Sequence, residues 1–239
     1  MIWTDIIELL FPRYCIICNE RLNKQESHIC INCLRKLPYT NSHLTKENTI
    51  EKLFWYHLPI QRAASYLFYS STGLREVIHS FKYYDNPYVG AYLARLMALE
   101  YNDVGFFKDI DIIVPVPLHW QRRLHRGYNQ AYYIAKSISN VTGIPVITNA
   151  IKRIKNNTSQ TRIEHQQRQS NVSSIFKVIH PELLRGKHIL LVDDVITTGS
   201  TLISLGKTIA ELNDARISIV SLCYAGNFFC NFVSENEDW

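Results

Sequence analysis

The stretch Ile189-Leu190-Leu191-Val192-Asp193-Asp194-Val195-Ile196-Thr197-Thr198-Gly199-Ser200-Thr201 constrains this chain more than any other. Four consecutive aliphatic residues read as a strand buried on both faces, the pattern of a parallel sheet covered by helices. Its carboxyl end delivers two adjacent acids, and a loop of small hydroxyl residues and Gly199 then opens a helix. Gly199 allows close backbone approach, and the N–H groups of the loop and first helical turn suit a phosphate. Thr197, Thr198, Ser200 and Thr201 add hydroxyl donors. The two carboxylates can accept from vicinal hydroxyls and help to hold Mg²⁺. A ribose 5-phosphate unit offers that combination of groups, and open α/β sheets bind ligands at the carboxyl ends of their strands. A helix capped behind a solvated acidic turn is the packing-only alternative.

The flanking sequence supplies the remainder of such a sheet. From about residue 60 to 239, strand patterns (63–69, 110–116, 146–154, 189–192, 217–222) alternate with helical ones (73–84, 88–101, 130–141, 200–212). This alternation predicts a parallel α/β sheet with helices on both faces. Gly206-Lys207-Thr208 looks like the end of a Walker A loop. The earlier glycine position holds Thr201, however, and the triplet falls inside a predicted helix, which excludes a P-loop ATPase.

The 239 residues leave room for one such domain and a small appendage. Hydrophobic residues at 46% and charged residues at 20% exclude disordered and collagen-like chains. Residues 1–11 carry Asp5 and Glu8, no basic start and no small-residue cleavage site, so neither a signal peptide nor a membrane span is expected, and the predicted location is cytoplasmic.

In a reducing compartment, the six cysteines need an explanation other than disulfides. Four of them form two pairs, Cys15-Ile-Ile-Cys18 and Cys30-Ile-Asn-Cys33, within a module read as residues 1–40 that opens with a helix-like stretch, 2–10. Two such pairs can place four thiolates tetrahedrally around a structural zinc, with no position left open for catalysis. A redox dithiol is the alternative, but neither pair sits in a strand-to-helix context. His28 reads as a loop residue, Cys223 and Cys230 have no assigned role, and the polar run 40–48 reads as a linker.

Charge is unevenly distributed. From Ile112 to Ile163 there is no acid, while Arg122, Arg123, Arg126, Lys136, Lys152, Arg153, Lys155 and Arg162 are all basic. The whole chain nets only +5, so the remainder is net negative. Such a window suits a pyrophosphate group. It equally suits a single-stranded nucleic acid track, with Trp120, Tyr128, Tyr132 and Tyr133 as stacking groups, or as ordinary core aromatics.

The thirteen residues 189–201 resemble the phosphoribosyl pyrophosphate (PRPP) binding signature of type I phosphoribosyltransferases. Val114-Pro115-Val116-Pro117-Leu118-His119, Arg122-Arg123-Leu124-His125-Arg126-Gly127-Tyr128-Asn129-Gln130-Ala131 and Arg153-Ile154-Lys155-Asn156-Asn157-Thr158-Ser159-Gln160, with the later Arg168, Asn171 and Phe176, resemble the ComF branch, the late-competence proteins. The chain departs from that pattern at Trp120, where Pro is usual, and at Lys155, where Arg is common. The resemblance implies a zinc ribbon ahead of a type I phosphoribosyltransferase-like domain. It implies that Thr197, Thr198, Gly199, Ser200 and Thr201 bind the 5-phosphate, and that Asp193 and Asp194 act on the ribose hydroxyls with Mg²⁺. Arg122, Arg126, Arg153 and Arg162 would face the pyrophosphate. Residues 155–174 resemble a hood over PRPP, with a solvated loop as the alternative, and Lys82 and Tyr83 fall where a basic residue is common. The implied process is natural competence: handling of imported single-stranded DNA beside a helicase or DNA-processing protein. Phosphoribosyl transfer is one reading, and an adaptor whose PRPP site is a sensor or relic is the other.

Overall fold

The computed structural model describes residues 11–69, Val77, 87–120, 127–155 and 175–226. Its centre is a four-stranded sheet of β1 (Ile60–Phe68), β2 (Ile112–Pro115), β5 (His188–Ile196) and β6 (Arg216–Tyr224), in the order β1-β6-β5-β2. All its pairings are parallel. The aliphatic run of β5 is completely buried, as a central strand with both faces covered must be.

Alternation along the strands builds two cores. Ile113, Leu190, Val192, Val220 and Leu222 face one side, against α3 (Pro87–Asp103) and α4 (Gln130–Thr142). Ile112, Val114, Ile189, Leu191, Ile217 and Ile219 face the other, against α5 (Ser200–Ala210) and the segment containing α2 (Thr49–Lys52). Helix α3 buries Val89, Leu93, Met97 and Tyr101, one residue per turn. Asn129 caps α4 at its start, and Gly143, at φ 77°, ends it in the left-handed conformation.

The sheet differs from the predicted one in two informative places. The strand expected to stop at Val192 continues to Ile196, because β6 goes on pairing with it (Asp193↔Ser221, Val195↔Cys223) after β2 has ended at the Pro115↔Val192 pair. The acid pair therefore sits on strand, held by hydrogen bonds on one side only. The strand expected over 146–154 is split. Val146 makes a single parallel bridge to Ile113, and β3 (Ile151–Arg153) pairs antiparallel with β4 (Phe176–Val178) in a separate two-stranded sheet. Pattern reading missed β4 because its three residues follow a long polar stretch.

The polar run 40–48, read as a linker, is packed instead. Phe68 N–H donates to Pro38 O (2.8 Å) and Thr40 N–H to Tyr66 O (3.0 Å), so the chain leaving the cysteine module covers the outer edge of β1. Ser42 Oγ accepts from Ser65 N–H (3.0 Å), and Asn48 both caps α2 and donates to Ala63 O (3.0 Å). The predicted helix 2–10 lies outside the described residues, as does 73–84 apart from helical, buried Val77.

Candidate functional site

The four paired cysteines converge. Their sulfur atoms all lie within 4.8 Å of one another, and Cys18 Sγ and Cys30 Sγ are 3.7 Å apart. Tetrahedral zinc with bonds of about 2.3 Å would separate its sulfurs by about 3.8 Å, so the donor set fits the ion. Each pair opens a tight turn: Asn19 N–H returns to Cys15 O (2.8 Å), and Leu34 N–H to Cys30 O (2.9 Å). The second turn leads into α1 (Ile31–Arg35). Glu26 ties the module together by accepting from Asn23 and Ile31 N–H (2.9 and 2.8 Å). Burial raises the Cys15 thiol pKa, but backbone N–H groups of Cys18, Cys30 and Ile17 outweigh it and bring it down to about 7. Burial, then the neighbouring sulfurs, push Cys33 far up. Crowded thiols cannot all ionise unaided, and a divalent cation removes that conflict. His28 stays outside the cluster, with its ring edge-on to Tyr92 (5.6 Å).

The second site lies where the chain reverses direction across the sheet. After β2 it crosses through α4 on one face to reach Val146, outside β2. After β5 it crosses through α5 on the other face to β6. The carboxyl ends of β2 and β5 therefore flank a topological switch point, where open α/β sheets bind ligands. A cavity of about 180 Å³ is found there, lined by Val116, Leu118, Asn129, Gln130, Ala131, Arg153, Asp193, Asp194, Val195 and Thr201. Asp193 Oδ1 accepts from Asp194 N–H (2.9 Å), and Asp194 Oδ1 from Val195 N–H (2.8 Å), which fixes both carboxylates against the strand end.

Loop 197–199 then turns into α5. Gly199, at φ +73°, is its N-cap and has no side chain with which to cap the helix. A Cβ at Gly199 would meet Phe54 Cε1 at 3.1 Å, so the loop is seated on that buried ring. Seven residues on, a Cβ at Gly206 would come within 2.2 Å of Leu58 Cδ2. The glycine of the Walker-like triplet thus serves helix packing. Thr197, Thr198 and Ser200 are exposed in the loop and first turn, where Ser200 N–H donates to Thr198 Oγ1 (3.4 Å).

The structure brings Asp193, Asp194, Thr201 and Arg153 to one cavity, with Thr197–Gly199 between β5 and α5 and Ser200 as the first residue of α5. Arg153 arrives from β3, its guanidinium 5.6 Å from the centre of the Phe176 ring on β4. Arg122, Arg126 and Arg162 lie outside the described residues, as do Lys82, Tyr83, Arg168, Asn171 and Cys230. Cys223 is a buried core residue of β6. A larger cavity of about 1010 Å³ shares Leu118, Asn129 and Arg153 with the first, and is further lined by Trp120, Tyr128, Tyr132, Tyr133 and Lys152. Sequence reasoning missed Phe54 and Gln130. Gln130 could have been found as the one amide heading an apolar stripe that includes Ile134 and Ile138.

Two family models match the chain: a phosphoribosyl transferase domain over residues 82–227 and a double zinc ribbon domain over residues 6–44. The chain is 30% identical to competence protein F of Haemophilus influenzae, over 90% of this chain and 86% of the relative. It is 29% identical to the DNA utilization protein YhgH of Escherichia coli, over 87% of this chain and 89% of the relative. Among solved structures, the glutamine PRPP amidotransferase from B. subtilis aligns with a TM-score of 0.40 at 19% identity, over 60% of this chain and 30% of that one. Among the described residues, no helix is long and apolar enough to cross a membrane.

Proposed function

Because the chain belongs to the competence protein F (ComF) family, with a zinc ribbon ahead of a phosphoribosyl transferase domain, we propose that it binds PRPP with Mg²⁺. We further propose that it acts in the cytoplasm on single-stranded DNA taken up in natural competence. One observation carries the reading: Asp193, Asp194, Arg153 and Thr201 line a single cavity at the switch point. Thr197 to Thr201 take the 5-phosphate, where α5 opens on a glycine with the positive end of its dipole. Asp193 and Asp194 accept from the ribose hydroxyls. Arg153, with Arg122, Arg126 and Arg162, balances the pyrophosphate. Mg²⁺ bound with the ligand neutralises pyrophosphate charge, and the residues that would hold it are Asp193 and Asp194.

In a transfer, the acceptor bonds to the anomeric carbon while the carbon–oxygen bond to pyrophosphate breaks, and pyrophosphate leaves with the electron pair. The protein's part is positioning and charge: carboxylates beside the cation-like ribosyl carbon and cations beside the leaving group. Calorimetric titration with PRPP and Mg²⁺ tests the reading. The unmodified protein is expected to bind, and Asp193→Asn/Asp194→Asn to bind about a hundredfold or more weakly, since hydrogen bonds to charged groups are each worth about 1.5–3 kcal/mol. No binding by the unmodified protein would sink it.

A second reading, in which the protein handles DNA as an adaptor and PRPP is only sensed, is favoured by the larger cavity. Its aromatics, beside Lys152 and Arg153, match the stacking-plus-cation chemistry of single-strand binding. In that reading the ribbon docks a helicase or DNA-processing protein. Salt-dependent oligonucleotide binding, weakened in Trp120→Ala and Lys152→Ala, is the expected result; binding indifferent to both substitutions removes the cavity as the track.

A further inference from the structure

The loop between β5 and α5 rests on a residue that belongs to neither matched family domain. The zinc ribbon match ends at residue 44 and the phosphoribosyl transferase match begins at residue 82, and Phe54 lies between them. Its ring is completely buried. It packs under Gly199, where a Cβ would stand 3.1 Å from Cε1 and 3.3 Å from Cζ. Gly199 is buried, while Thr197, Thr198 and Ser200 around it are exposed. The loop therefore has an inner side seated on an aromatic ring and an outer side of hydroxyl groups.

Such a loop cannot hold itself. N–H groups kept for a phosphate cannot also close the loop on its own carbonyls. Gly199 has no side chain with which to cap α5. Among the described residues the loop's bonds are few. Ala225 N–H donates to Ile196 O (2.7 Å) ahead of it, and Ile203 N–H to Gly199 O (2.8 Å) behind it. Within it, Ser200 N–H makes only a long bond to Thr198 Oγ1 (3.4 Å). Packing must supply the remaining constraint, and a binding group is placed as well as the residues behind it are fixed.

Phe54 is firmly fixed. Its N–H donates to Glu51 O (3.0 Å), and its carbonyl accepts from His57 and Leu58 N–H (2.8 and 2.9 Å). Upstream, the Asn48 side chain accepts from Ile50 and Glu51 N–H and donates to Ala63 O (3.0 Å), while Glu51 Oε1 accepts from Ala63 N–H (3.3 Å). The segment is thus tied to the edge of β1. Four residues after Phe54, Leu58 packs under Gly206, about two turns further along α5. Both side chains seat the same helix, but only Phe54 does so at its phosphate-facing end.

We propose that Phe54 is a positioning residue for the phosphate loop, its ring setting where Gly199 and the first turn of α5 stand relative to Asp193 and Asp194. It touches no ligand. The inference rests on the PRPP reading for the identity of the group bound at the loop, the 5-phosphate.

The test compares Phe54→Leu with Leu58→Ala in the full zinc-loaded chain. Each is titrated with ribose 5-phosphate, with PRPP and Mg²⁺, and with pyrophosphate and Mg²⁺. Both variants lose buried contacts and are expected to lower the thermal midpoint. Phe54→Leu is expected to bind ribose 5-phosphate and PRPP about tenfold or more weakly, on the order of one hydrogen bond to a charged group, and pyrophosphate as before. Leu58→Ala is expected to bind all three as before. Unchanged ribose 5-phosphate and PRPP affinities in Phe54→Leu overturn the inference, as does an equal loss in Leu58→Ala or a parallel loss of pyrophosphate binding. A second measurement needs no ligand. Hydrogen exchange of Ile203 N–H, whose bond to Gly199 O opens with the loop, is expected to accelerate relative to Ile209 N–H in Phe54→Leu and to keep its ratio in Leu58→Ala. If the unmodified protein binds none of the three ligands, the PRPP reading falls and the exchange ratio alone decides whether Phe54 places the loop; an unchanged ratio overturns that as well. Should Phe54→Leu fail to fold, Phe54→Met takes its place with the same expected and overturning results.

Discussion

The cysteine module and the switch-point cavity both gather groups that cannot be left alone in a protein interior, and they resolve the problem in opposite ways. In the module, four sulfurs within 4.8 Å satisfy one closed site, and backbone N–H groups already point at Cys15. At the cavity, the helix that opens at Gly199 has no side-chain cap, and Gln130 has an unpaired donor. A closed set of ligands serves stability, whereas an open set leaves free energy to be gained from a ligand. The two regions are not independent bodies, however. Cys15, Leu22, Ile29, Cys30 and Leu37 belong to the same buried cluster as Leu93, Met97 and Tyr101 of α3.

Removing zinc is the largest perturbation that can test this contrast. Binding at structural sites is worth on the order of 10 kcal/mol, more than any single truncation. The purified chain is expected to hold about one zinc per molecule. Chelation, or Cys15→Ser, should lower the thermal midpoint of the whole protein in one shifted transition. A separate early transition with the main one unmoved would mean that the shared core does not couple the two regions.

Next in size, Gly199→Ala forces a side chain into the left-handed region and against Phe54, at a cost of about 1–3 kcal/mol. It should weaken both stability and PRPP binding. Gly206→Ala, pressing on Leu58 about two turns further along the same helix, should cost about 1–3 kcal/mol of stability and leave PRPP affinity alone. If both variants lose affinity alike, the seating of α5 rather than the loop at Gly199 governs binding. Asn129→Ala removes a helix cap and is expected to cost about 1 kcal/mol in chemical denaturation.

The smallest effect is expected at the far end of β5. Burial holds the His188 imidazole below its ordinary pKa, outweighing the hydrogen bond to the Asp109 carbonyl. The unfolded chain therefore takes up a proton near pH 6.5 that the folded chain refuses. Stability is fully present above that pH and declines as pH falls below it. Burial lowers His43 in the same sense. His188→Gln should flatten the decline between pH 7 and 5 without touching ligand affinity, and an unchanged slope would exclude His188 as a source.

Much of this was legible in the chain itself. The run Ile189–Val192 required a doubly covered strand, the Cys-x-x-Cys pairs required a metal-type cluster, and Asp193, Asp194 and Thr201 were placed by the motif that contains them. Arg153 was legible only as part of a basic window, because its approach to the acids depends on β3 pairing with β4 across a long intervening stretch. The packing of 40–48 was hidden for a similar reason. Its polar residues suit solvent equally well, and only the unpaired edge of β1 gives them a place in the fold.

The division follows the range of the interactions involved. Local periodicity, turn chemistry and ligand spacing act within a dozen residues, so the sequence alone determined the sheet's central strand, the glycine turn into α5 and the closed cysteine set. The cavity is made where β2, β3, α4, β5 and α5 meet, from residues as far apart as Val116 and Thr201. No local rule sets the distance between Gln130 and the acid pair. The switch in crossover direction between β2 and β5 does, and it brings Gln130 and the acid pair to the lining of one cavity.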